Sequence, residues 1–181
     1  MRVLFIHGLE SGPLGRKAVL LSNHPEMVTL VPLISPYNPW GSILMLMREC
    51  ERFNPDVIVG SSYGAFLAMY LYRLRVWTGP MLLMSAPPSI FIDRPERHIY
   101  VHGLRDSIFP PYLSTKVVDE DHSLRNYSFD GMCKDVIDLG NSQRGLVIPR
   151  RSHLSLLTWT TIYILGDLLG WAYVWLVSKI H

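Results

Sequence analysis

The stretch Val57-Ile58-Val59-Gly60-Ser61-Ser62-Tyr63-Gly64-Ala65-Phe66-Leu67-Ala68-Met69-Tyr70-Leu71 decides how the rest of this 181-residue chain is read. An apolar β-branched run leads into a Gly-x-Ser-x-Gly turn, and an apolar helix-forming run leads out of it. A serine in the middle of such a turn is forced outward on a strained backbone, while glycines two residues to either side relieve the crowding between strand and helix. Ser62 is therefore a candidate nucleophile; Ser61 lacks glycine at both second neighbours. Turns of this composition are common between strands and helices, so the surrounding chain has to supply a base, an acid that orients it, and donors for an oxyanion.

Outward from the turn, strands and helices alternate. Val3–Ile6 reads as a short strand ending in His7-Gly8, Gly15–Ser22 as a helix, and Val28–Pro32 as a second strand. The two prolines of Ser35-Pro36-Tyr37-Asn38-Pro39-Trp40 predict a loop, followed by a helix over Ser42–Phe53. Val57–Gly60 is the strand before the serine turn, and the helix after it is expected from Ala65 to about Arg75. Met81–Ser85 and His98–His102 read as further strands, with Leu146–Ile148 the last; a long apolar helix completes the chain. This order predicts one α/β domain over residues 1–181, a mostly parallel sheet with helices on both faces. Ligands of such sheets bind beyond the carboxyl ends of the strands. His7-Gly8-Leu9, Ser62, Asp106 and His153 all follow predicted strands.

Composition narrows the function classes. An apolar fraction of 49% and a charged fraction of 18% describe a packed globular chain. The net charge of +2, with no long Lys or Arg runs, gives no footing for a nucleic-acid partner. Cys50 and Cys133 are too few for a disulfide framework or a metal site, and no cofactor or metal is expected. The opening Met1-Arg2-Val3-Leu4-Phe5-Ile6 reads as a strand rather than a signal peptide, so a cytoplasmic location is expected.

The chain resembles the α/β-hydrolase superfamily, and within it small bacterial serine esterase-like proteins. The likeness is carried by His7-Gly8-Leu9-Glu10-Ser11-Gly12-Pro13 with Arg16-Lys17-Ala18, by Gly60–Gly64, by the run from His102-Gly103 through Asp106 to Pro110, and by Arg151-Ser152-His153-Leu154. It spans nearly the whole chain except about Pro111–Asn141 and the far C-terminus. The order Ser, Asp, His is the one that superfamily uses. The resemblance implies a compact α/β-hydrolase fold with Ser62 as nucleophile, His153 as general base and Asp106 as its orienting acid, and an oxyanion hole made by the backbone N–H groups of Leu9 and Tyr63. His7 is then structural, its ring packed beneath the oxyanion turn. His122 is the rival base. It follows Asp106 so closely that the intervening chain looks cramped for the usual helix and strand, and Asp119, Glu120 and Asp121 then read as a solvated acidic loop.

Ser85–Arg97 is too short for a helical cap, which predicts little or no lid and a shallow pocket. Tyr37, Trp40 and Phe109 are the expected substrate-binding side chains, favouring an apolar acyl or aryl group. The expected activity is hydrolysis of small-molecule carboxylic esters or thioesters of small to medium acids through an acyl-enzyme. Acyl transfer with the same triad and a non-catalytic scaffold of the same fold are the alternatives. Residues 154–181 form an apolar C-terminal helix with Asp167 as the one charge between Leu154 and Val177. A homodimer contact or burial suits it better than membrane association, which its length alone would also permit.

Overall fold

The computed structural model describes residues 1–88, 98–109, 111 and 114–142. Six strands form one sheet: β1 (Arg2–Ile6), β2 (Val28–Leu30), β3 (Val57–Ser61), β4 (Met81–Met84), β5 (His98–Gly103) and β6 (Lys116–Val118). Their spatial order is β2-β1-β3-β4-β5-β6, and every neighbouring pair is parallel. Five helices accompany them: α1 (Arg16–Ser22), α2 (Pro39–Phe53), α3 (Tyr63–Arg73), α4 (Arg125–Asp130) and α5 (Met132–Ser142).

The near-continuous apolar strands explain the two-faced burial. Along β1, Val3 and Phe5 point to one face and Leu4 and Ile6 to the other; Val57 and Val59 alternate with Ile58, and Leu82 and Met84 with Met81 and Leu83. One face packs against α2 and α3 through Ile43, Leu46, Leu67 and Leu71. The other packs against α1, α4 and α5 through Ala18, Leu21, Tyr127, Met132 and Val136. Each fully buried Leu, Ile or Val contributes roughly 1.5–3 kcal/mol over its exposed state.

The chain leaves β1 in one direction to β2, with α1 on one face, then returns over α2 to β3 on the opposite side of β1. Reversing direction puts the connecting helix on the other face, so β1 and β3 flank the point where the topology switches. The carboxyl ends of those two strands carry His7-Gly8 and Ser62.

Three boundaries differ from expectation for local reasons. Helix α2 starts at Pro39 rather than Ser42: proline has no N–H to lose at a first helical position, and the Asn38 side chain accepts a 2.9 Å hydrogen bond from Gly41 N–H as cap. Helix α3 starts at Tyr63, because Ser62 turns the chain in one residue. The segment between Pro111 and Asn141, left without elements by the sequence, holds β6, α4 and α5. Within it Glu120 is no solvated loop residue; it is buried and its carboxylate accepts from the backbone N–H groups of Asn126 (2.8 Å) and Tyr127 (2.7 Å) at the start of α4. The predicted strand Leu146–Ile148, the apolar helix of residues 154–181 and most of the Ser85–Arg97 connection lie outside the described residues. Among the described residues, no helix is long and apolar enough to cross a membrane.

Candidate active site

Ser62 sits between β3 and α3 with φ 54° and ψ −118°, a left-handed conformation that costs a serine about 1–3 kcal/mol. The flanking glycines make that turn possible. A Cβ at Gly60 would stand 2.6 Å from Ala65 Cα, and one at Gly64 would overlap the carbonyl oxygens of Ile6 and His7. The turn is thereby pressed against the end of β1, and Ser62 N–H is held by the Met84 carbonyl at 2.8 Å.

The hydroxyl of Ser62 meets the imidazole of His122, with Oγ 3.0 Å from Nε2. On the other side of the ring, Nδ1–H donates to Asp106 Oδ2 at 2.8 Å. Since the carboxylate can only accept there, Nε2 is left as the acceptor facing Ser62. Asp106 is buried at the end of β5, and its second oxygen accepts from the backbone N–H groups of Ile108 (2.9 Å) and Phe109 (2.8 Å). Burial alone would raise the Asp106 carboxyl; the hydrogen bonds from His122 and from those two N–H groups hold it below the ordinary carboxylate value.

His122 therefore occupies the place that the sequence assigned to His153, and His153 itself lies outside the described residues. The connection between acid and base is not too short. Strand β6 is only Lys116–Val118, it joins the sheet edge through residues 104–115 with no helix among the described ones, and the chain then turns straight back to the end of β5. Leu104 N–H and Arg105 N–H donate to the carbonyls of Val118 and Glu120, tying the two turns together.

Further contacts fix His122. Ser85, itself at φ 46°, donates its hydroxyl to the His122 carbonyl at 2.9 Å. Lys17 Nζ donates to the Ser123 carbonyl at 2.6 Å, reaching from α1. The ring of Phe109 lies 5.5 Å from that of His122 in a tilted arrangement. Phe109 is buried and is not among the described residues that line the cleft.

The other predicted positions divide. Tyr63 is the first residue of α3, where a backbone N–H has no intrahelical acceptor, and Leu9 lines the same cleft as Ser62. Tyr37 is 96% exposed and Trp40 packs on the α2–α3 core; neither is among the described residues that line that cleft. They flank the entry of α2 from the Pro-rich loop instead. His7 is buried, with Nδ1 2.8 Å from the Gly8 carbonyl, so that Nδ1–H donates and Nε2 accepts from Ile34 N–H at 3.4 Å.

The cleft at Ser62 has a volume of about 680 Å³ and is bordered by Gly8, Leu9 and Ile108, with Arg16, Lys17 and Arg125. Among the described residues no group of three His, Cys, Asp or Glu side chains is disposed to hold a metal. Burial pushes the Cys50 thiol up to about 12, followed in effect by Glu49 and Glu51, so it stays protonated and inert.

No family model matches this sequence. Among solved structures, the chain is similar to a protein assigned to the hydrolases of the alpha/beta superfamily from Xanthomonas campestris pv. campestris, with TM-score 0.61 and 19% identity over 80% of this chain and 99% of that one. It is also similar to the esterase domain of a Rhodothermus marinus protein, with TM-score 0.55 and 14% identity over 79% and 85% of the two chains. The six-stranded parallel sheet with helices on both faces is the compact α/β fold that these hydrolases share.

Proposed function

We propose that the protein is a serine hydrolase that cleaves carboxylic esters or thioesters through an acyl-enzyme on Ser62, with His122 as general base and Asp106 as its orienting acid. The continuous chain Ser62 Oγ, His122 imidazole, Asp106 carboxylate carries this reading. Its tautomer is the productive one, with the acceptor nitrogen turned to the hydroxyl.

In the first half-reaction His122 Nε2 takes the proton as Ser62 Oγ attacks the acyl carbonyl. The Leu9 and Tyr63 N–H groups receive the oxyanion, a contribution of about 3 kcal/mol for each donor well placed. The intermediate collapses as the imidazolium returns its proton to the leaving alcohol or thiol. Water then attacks the ester of Ser62 with His122 again as base, and the acid product leaves. Asp106, kept ionised by its donors, stabilises the imidazolium at both stages. An acyl acceptor other than water would use the same groups.

Reaction with a fluorophosphonate probe, read by intact mass, tests the reading. A single adduct on wild type that is absent from Ser62→Ala is expected; a folded wild type that takes no adduct would contradict it.

A further inference from the structure

The cleft that holds Ser62 has an unusual charge pattern. Half-buried Lys17 and exposed Arg16 and Arg125 all border it. None of the three has a carboxylate within 4 Å among the described residues, although four of the five ion pairs drawn there join a Lys or Arg to an acid elsewhere on the surface. Lys17 has one protein acceptor, the Ser123 carbonyl, for three N–H groups. Burial lowers its ammonium to about 8, against the opposing pull of Glu120 and Asp121, so it remains a cation at neutral pH.

The neighbouring acids Glu120 and Asp121 offset part of that charge from beyond ion-pair distance. The Asp121 carboxylate is taken up by the backbone N–H of Ser123 at 2.8 Å and by its hydroxyl. Glu10 is exposed. Gly8, Leu9 and Ile108 add uncharged lining to the cleft that holds Ser62 and the three cations.

Resting on the serine-hydrolase reading above, we propose that the substrate is an ester carrying an anionic group, a carboxylate or phosphate, which Arg16, Lys17 and Arg125 receive while Ser62 attacks the carbonyl. Such a group adds negative charge where three cations face two carboxylates, none of them paired within 4 Å among the described residues. Clustered charge on a low-dielectric cleft raises the local concentration of the opposite ion, and the effect falls with salt.

The test compares kcat/KM for matched esters in two arms. The acyl arm sets 4-nitrophenyl hydrogen glutarate against 4-nitrophenyl valerate; the alcohol arm sets 4-acetoxyphenyl phosphate against phenyl acetate. A preference of about tenfold or more for the anionic ester is expected in at least one arm at low salt, and the responding arm tells which half of the substrate bears the charge. The preference should shrink towards unity in 1 M NaCl and in the Arg16→Gln/Arg125→Gln double variant, whose folding is read from its melting transition. Turnover of the neutral esters without preference in either arm, or a preference that survives both the salt and the double variant, overturns the proposal while leaving the hydrolase reading intact. No turnover of any ester together with no fluorophosphonate adduct overturns both. Should the double variant fail to fold, the salt series decides by itself.

Discussion

At the residue scale, the account turns on one strained serine and one imidazole. Ser62 holds φ 54° at a position where its backbone is worth less than a glycine's. Ser62→Gly is therefore expected to abolish activity and yet raise stability by about 1 kcal/mol in urea unfolding; a loss of stability would mean the turn is not strained as described. This residue was legible in the sequence because glycines at positions 60 and 64 admit only one outward side chain between them. His122 was not. The argument against it assumed a helix between acid and base, whereas the chain needs only the three residues of β6 to bring it back. Val117-Val118 ahead of Asp121-His122 is too short a run to read as a strand end.

At the element scale, the base rides on a connection clamped from two sides. Ser85 at the end of β4 holds the His122 carbonyl, and Lys17 on α1 holds the next one. Displacement of a reacting group by about 1 Å can cost 10²-fold in rate. Ser85→Ala is expected to lower kcat by roughly tenfold or more with KM nearly unchanged, and Ser85→Thr, which keeps the hydroxyl, to recover part of it; unaltered kcat in Ser85→Ala would remove Ser85 from the positioning of His122. The strands that carry Ser62 and Asp106 were readable from their apolar runs. Helix α5 went unread, although Met132, Val136, Leu139 and Gly140 recur at helical spacing on its buried side. What the residue pattern does not reveal is β6, whose three residues Lys116, Val117 and Val118 are half-exposed at the sheet edge and carry too short an alternation to register.

At the scale of the whole molecule, the buried ionisable groups couple folding to pH. Burial lowers Lys17 from an ordinary 10.5 to about 8, so between those values the unfolded chain carries a proton that the folded chain has released. The unfolded state then binds more protons, and stability rises with pH across that window. Burial raises Cys50 from an ordinary 9.0 to about 12, an acid that acts in the opposite direction above pH 9. The clean interval is therefore about pH 8–9. Wild type should gain stability there relative to Lys17→Met in parallel urea titrations; parallel curves for the two proteins would show that Lys17 is not desolvated as described. Asp106 has the same sign as Lys17 at the acid end: its depressed carboxyl stabilises the fold above the ordinary value of 3.8, and that contribution is lost as pH falls through the folded value.

All three scales meet in the identity of the base, because the topology that brings β6 back beside β5 is what delivers His122 to Ser62. Hydrolysis of 4-nitrophenyl acetate by His122→Ala and by His153→Ala, each checked for native folding, tests this most directly. A fall in kcat/KM of at least about 10⁴-fold in His122→Ala, with His153→Ala within a few-fold of wild type, is the predicted result. The reverse pattern, with activity lost only in His153→Ala, would contradict it.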